Sequence, residues 1–166
     1  MHSTQKLLLF HHLSIIAGLF YYGFNIQYAL IILFGCIVWA YVVGHKGLHM
    51  YMAHTKYKDC IKSYLYTFGA LVTGVGSPLT FAATHRQHHA FHDTEKDPHS
   101  PEHIGWYNVW LMNYNSQYIS PRLVKDFLKS DFQKFMNRHW IQITIVMLVV
   151  LSVSYTHLTL PTRIFV

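Results

Sequence analysis

Apolar residues gather in blocks along this chain, and each block predicts its own element. Residues 7–22 are apolar except for His11, His12 and Ser14. Sixteen residues fall short of the roughly twenty that a straight bilayer span needs, so a marginal first helix is expected. Residues 23–27 are uncharged and offer Gly23 and Asn25 for a tight turn, which returns the chain as a hairpin. Residues 28–44 then run uncharged for seventeen positions and predict the second helix. Residues 64–83 are apolar again, but Gly69, Gly74, Gly76, Ser77 and Pro78 interrupt the pattern, which favours an interfacial or re-entrant segment over a third span. Residues 121–139 set Leu123, Phe127, Leu128, Phe132 and Phe135 against Arg122, Lys125, Asp126, Lys129 and Lys134, as in an amphipathic helix lying on a membrane surface. Residues 140–151 begin a third transmembrane helix. The predicted fold class is therefore all-α, a multi-pass helical membrane protein.

Composition strengthens this picture. Of 166 residues, 52% are hydrophobic and 12% charged, about half the roughly 25% charge of soluble domains. Eleven of the thirteen basic residues fall between Lys46 and Arg138, where they attract anionic headgroups of membrane lipids or a phosphate-bearing substrate. No basic run or known motif accompanies the formal charge of +6, so nucleic acid is not an expected partner. Lys46, Lys56, Lys58 and Lys62 follow the second helix and the turn before it is uncharged, which places both hairpin ends in the cytoplasm. Cys36 lies in an apolar block and Cys60 stands alone, so neither a disulfide nor a cysteine metal site is expected.

Histidine changes the picture from membrane domain to chemistry. Residues 85–101 hold five of the fourteen histidines. On a helix His85, His88 and His89 stand at i, i+3 and i+4, so their imidazoles project from one face toward one point, which can hold one metal or share two. Asp93, Glu95 and Asp97 follow, and carboxylates beside imidazoles orient ligands or bind metal themselves. A second group, His45, His49 and His54, comes where the second helix leaves the bilayer. His49 and His54 are five apart, about 140° around an α-helix, so one metal shared by them needs the helix to loosen, or two metals lie to either side. The two groups can share a site only if residues 64–83 do not cross the membrane. Farther on, Trp106, Tyr107, Trp110, Tyr114 and Tyr118 recur near helical spacing, which reads as interfacial anchoring or, for Trp106 and Trp110, as the wall of a substrate channel.

The order H-x4-H (His49, His54), H-x2-H-H (His85, His88, His89) and D-T-x2-D-P-H-S-P (from Asp93 to Pro101) resembles the membrane fatty acyl desaturases, nearest to the acyl-CoA Δ9 type, over residues 7–151. The resemblance implies an O2-dependent oxidoreductase with two non-haem iron ions, O2 as co-substrate, and a cis double bond as product. It implies His49, His54, His85, His88 and His89 as metal ligands, with Asp93, Asp97 and His99 supporting them or fixing the turn. It also implies an acyl substrate carried by CoA, acyl carrier protein or lipid, and an electron donor such as cytochrome b5 or ferredoxin. The histidine boxes would face the cytoplasm from a bacterial inner membrane or an endoplasmic reticulum membrane.

Departures from the family pattern carry their own expectations. The third box, usually another H-x2-H-H, and a further ligand before it are missing, and five ligands are too few for two irons. The chain is therefore expected to be an inactive, C-terminally truncated fragment that binds iron weakly. Met50 stands where relatives often have Arg, and Val109-Trp110 where Ser-His often occurs, which bears on substrate-head contacts. Residues 153–162, VSYTHLTLPT, resemble translated adapter sequence. The expected division is a partial desaturase domain at 1–152 and a non-native tail at 153–166. The nearest rival function is a hydroxylase or ketolase of the same histidine-box superfamily. A non-catalytic haem or metal carrier is the rival from another class, although haem prefers histidines facing each other inside a bundle.

Overall fold

A computed structural model describes residues 3–74, 76–114 and 119–159, and among them it is helical with no strand. Helix α1 (Ser3–Tyr22) and helix α2 (Ile26–Trp39) are joined at Gly23, whose positive φ of 72° turns the chain. His11 and His12 sit within α1 and donate their Nδ1 hydrogens to the carbonyls of Leu7 and Leu8, at 2.7 and 2.8 Å. Leu7 packs against the turn at Gly74, so α1 touches the rest of the molecule near its own start.

Helix α2 runs on past residue 44, where the uncharged block ends, into the segment that carries His45, His49 and His54. It continues without a break as a π-helix over Ala40–Ala53, whose wider turn links each N–H to the carbonyl five residues back. Val43, Gly47, Leu48, Met52 and Ala53 are its buried residues. Gly47 is there for a reason, because a β-carbon at that position would lie 2.8 Å from Cγ and Cε1 of the Tyr66 ring on the neighbouring helix. Ala29–Ala53, 25 residues, is long and apolar enough to cross a bilayer.

Helices α3 (Ile61–Thr73) and α4 (Pro78–Ala90) meet at 91°. The sequence dictates this corner. Gly74 takes a left-handed φ of 70° and closes α3, Ser77 caps α4 by accepting from the Thr80 N–H, and Pro78 occupies its first turn. The corner is anchored by Asn137, whose side-chain oxygen accepts from the hydroxyls of Ser77 and Thr80. As a result α4 turns back onto the π segment, and the two histidine-bearing elements pack together.

The surface segment also departs from expectation. Residues 121–139 form no single amphipathic helix but two 3-10 turns, Pro121–Val124 and Phe127–Lys129, then α7 (Asp131–Arg138). Ser130 interrupts the pattern by capping α7 at the Gln133 N–H and donating its hydroxyl to Asp59 at 2.7 Å. Phe127 is wholly buried and stacks on Tyr57 at 4.4 Å, while Leu128 and Phe135 of the same predicted stripe are exposed. Two short helices, α5 (Pro101–Ile104) and α6 (Trp106–Trp110), precede this segment, and α8 (Trp140–Thr159) follows it. The core is one cluster in which Leu48, Met52 and Ala53 meet Ala70, Ala82, Ala83, Val124 and Phe127.

Candidate metal centre

Four imidazoles converge where the π segment meets α4. His54 Nε2 lies 3.3 Å from His49 Nε2 and 3.0 Å from His85 Nε2, and His85 Nε2 lies 2.9 Å from His89 Nε2. The ligating nitrogens of all four fall within 4.8 Å of one another. The π winding makes this possible. Its i→i+5 register, seen in the His54 N–H to His49 carbonyl bond of 3.1 Å, brings two residues five apart onto one face. The loosened helix that a shared metal requires is thus what the chain adopts.

These contacts test the fit of a metal directly. A metal–imidazole bond of ~2.0–2.1 Å sets neighbouring ligand nitrogens roughly 2.8–3.4 Å apart in a four- to six-coordinate ion, and the observed contacts are 2.9–3.3 Å. A shared proton joins only two facing nitrogens. One cation accepts all four lone pairs at once. His49 Nδ1 is buried with no hydrogen-bond partner among the described residues.

His88 is not part of this group, which corrects the expectation that His85, His88 and His89 point to one place. Three and four residues along an α-helix fall on opposite sides of the starting residue, so His88 and His89 diverge by about 100°. His88 instead joins Asp97 and His99 in a second group whose ligating atoms are also within 4.8 Å. Its Nδ1 donates to Asp97 Oδ2 at 2.8 Å, and its ring lies 4.2 Å from that of His99. Asp97 is fully buried and also accepts the backbone N–H groups of Asp93 and His99, each at 3.1 Å. Burial pushes the Asp97 carboxyl up, yet those two N–H groups and the His88 ring outweigh it and hold Asp97 below the usual carboxylate range. Burial first, then the neighbouring His88, pushes His99 down, and its buried Nδ1 has no hydrogen-bond partner among the described residues. Asp93 sits at a positive φ of 54° and pairs with exposed His92 at 2.8 Å, so it shapes the loop.

A cleft of about 1150 Å3 opens beside the first group. Ile32, Gly35 and Cys36 lie at one end along α2, with Val146 and Val150 of α8 also on its walls, and His45, Leu48, His49 and Phe81 at the other end. Trp106 and Trp110 do not line it. Both are exposed, at 70% and 69%, on short α6, and Tyr118 lies outside the described residues. Cys36 and Cys60 are both free thiols. Arg86 and Asp126 were missed in the sequence, although a lone arginine inside a histidine-rich, otherwise uncharged helix signals a buried partner.

The fatty acid desaturase family matches residues 16–165, and the chain belongs to that family. Among curated proteins it is similar to Delta-9 acyl-lipid desaturase 2 of Arabidopsis thaliana, 32% identical over 108 residues, which are 59% of this chain and 35% of that protein. Palmitoyl-monogalactosyldiacylglycerol delta-7 desaturase, chloroplastic, of the same plant is 29% identical over 141 residues, 79% of this chain and 36% of that protein. Acyl-CoA 5-desaturase AL21 of Anemone leveillei is 29% identical over 99 residues, 56% and 31%. The chain therefore spans about a third of the length of the curated relatives it matches. No solved structure matches it.

Proposed function

We propose that this chain carries two walls of the metal centre of a membrane fatty acyl desaturase, with the histidines at the cytoplasmic face of a multi-pass fold. One observation carries the reading. His49 belongs both to the four-histidine group and to the lining of the apolar cleft, so the reactive centre and the channel for an acyl chain share a side chain.

On this reading His49, His54, His85 and His89 hold one iron ion, and His88 faces the second. Neutral imidazoles suit iron and leave positions open for oxygen. Iron held there would supply the oxidising power of O2: with two electrons from a donor such as cytochrome b5 or ferredoxin and two protons from solvent, loss of two hydrogens from adjacent methylenes would balance as a cis double bond and two waters. The protein supplies position and polarity. Asp97 takes the Nδ1 hydrogen of His88, which fixes that tautomer and leaves Nε2 as the ligand. Asp93 and His99 hold the loop that carries Asp97. The apolar walls from Ile32 to Leu48 exclude water and keep the chain extended toward His49. The acyl group rides on lipid, CoA or carrier protein; the named relatives include both acyl-lipid and acyl-CoA enzymes.

Product analysis tests this. Membranes bearing a chimera in which this chain replaces the matching segment of Delta-9 acyl-lipid desaturase 2, given reduced donor and O2, are expected to yield a monounsaturated acyl product by mass spectrometry. A hydroxylated product assigns the protein to the hydroxylases instead, and a Soret band in the purified chain assigns it to haem carriage.

A further inference from the structure

Arg86 stands between two histidines of α4, beside His85, yet it points away from the metal group and into a polar knot. Its Nε donates to the Ala53 carbonyl at 2.7 Å. One terminal nitrogen reaches the Leu123 carbonyl and Asp126 Oδ1, both at 2.7 Å. The other reaches the carbonyls of Thr55 at 2.7 Å and Met52 at 3.2 Å, and Asp126 Oδ2 at 3.0 Å. All five N–H donors of the guanidinium are thus engaged. The arrangement is largely buried, with 18% of the Arg86 side chain and 10% of that of Asp126 exposed, and the Phe127 ring lies 5.3 Å from the guanidinium carbon. Asp126 also accepts the Tyr57 N–H at 2.6 Å.

The acceptors on the π segment are not arbitrary. A helix end leaves its last carbonyls without intrahelical donors, and those of Met52, Ala53 and Thr55 bracket His54. One side chain on α4 therefore grips the backbone on both sides of His54 while its own backbone neighbour is His85. The His54–His85 contact of 3.0 Å joins the two elements on the metal side; Arg86 joins them on the other. Asp126 extends this grip to residues 121–129, a segment with no histidine.

We infer that Arg86 and Asp126 are positioning residues of the metal centre, setting the separation of the two helices that carry its ligands. The inference rests on the metal reading above. Lysine cannot substitute, since an ammonium has three donors and no fork to reach six acceptor contacts on two segments.

Cobalt(II) titration of the full chain in detergent, followed by its visible d–d absorption, separates the two ideas. Wild-type chain that gives no such bands removes the metal reading and the inference with it. Given wild-type binding, Arg86→Lys is expected to weaken cobalt affinity by roughly 10–100-fold, the range for groups that orient metal ligands, and to shift the bands. Asp126→Asn, which keeps the acceptor for Tyr57 but removes the charge, is expected to do so by a smaller factor. Lys125→Gln, an exposed charge loss on the same segment, is expected to change neither. Unaltered affinity and bands in both Arg86→Lys and Asp126→Asn overturn the positioning role while leaving the metal reading intact. If Arg86→Lys loses helical circular dichroism, Asp126→Asn decides. Loss of helix in both assigns the pair to folding alone and also overturns it.

Discussion

Gly47→Ala places a single methyl group between the π segment and α3, and its effect follows from the contact already there. The added carbon would lie 2.8 Å from Cγ and Cε1 of Tyr66, against an ordinary carbon–carbon contact of ~3.5–4.0 Å, so the ring must retreat by ~1 Å. Tyr66 cannot swing freely, because its ring lies 5.6 Å from that of Tyr51 and the Lys62 ammonium sits over both. Overpacking of this size costs ~1–3 kcal/mol, and removing a helical glycine returns about 0.5–1 kcal/mol. The net expectation is a loss of ~0–2.5 kcal/mol, up to roughly 10 °C in Tm for a chain of this size, read by thermal melting of helical circular dichroism in detergent. In a Tyr66→Ala background the clash is gone, and the same substitution should stabilise by about 0.5–1 kcal/mol. The sign therefore reverses between backgrounds. Gly47→Ala that stabilises the wild-type chain, or that has one sign in both, refutes the close approach of these helices.

Burial pushes the Asp126 carboxyl up, but the Arg86 hydrogen bonds, the Tyr57 N–H and the Arg86 charge outweigh it and hold Asp126 below the usual carboxylate range. A depressed folded pKa contributes stability that is full above the unfolded value of about 3.9 and fades as pH falls through the folded one; melts at pH 6 and pH 3 should show a larger loss in wild type than in Asp126→Asn. Hydrogen bonding to Ser63 and then Tyr51 lowers the Cys60 thiol to about 7, so in a Cys36→Ser background iodoacetamide alkylation should have its half-maximal rate near that pH. Ser63→Ala should move the midpoint upward, and an unmoved midpoint would count against the hydrogen bond. Cysteines placed at exposed Lys58 and Glu102 should be labelled by an impermeant maleimide from the same side of a sealed membrane, whereas opposite-side labelling removes a common site for the two histidine groups.

Much of the site was legible because ligand chemistry is written in residue type and order. The family resemblance implied His49, His54, His85 and His89 as ligands, and the structure brings those four together; the Gly74 to Pro78 breaker run foretold the corner between α3 and α4. What spacing could not give was the backbone between ligands. The i→i+5 winding of residues 40–53 sets Gly47 against Tyr66, a contact nineteen positions away in sequence, and no local pattern announces it. His88 was grouped with its neighbours because helical spacing was read as one face, while the buried Asp97 carboxylate drew it elsewhere. The surface segment misled for a related reason. Its 3.6-residue period is present, but Asp126 and Ser130 serve partners on other elements, Arg86 and Asp59, and tertiary bonding broke the helix that periodicity predicted.

On the proposed reading, histidines from two separate helices meet at one metal. X-ray absorption of the cobalt-loaded chain tests it most directly, by counting imidazoles through their multiple scattering. About four imidazoles at ~2.0–2.1 Å are predicted, with one lost in His85→Ala from α4 and one lost in His54→Ala from the π segment. A signal from one or two imidazoles that is unchanged by either substitution would contradict it.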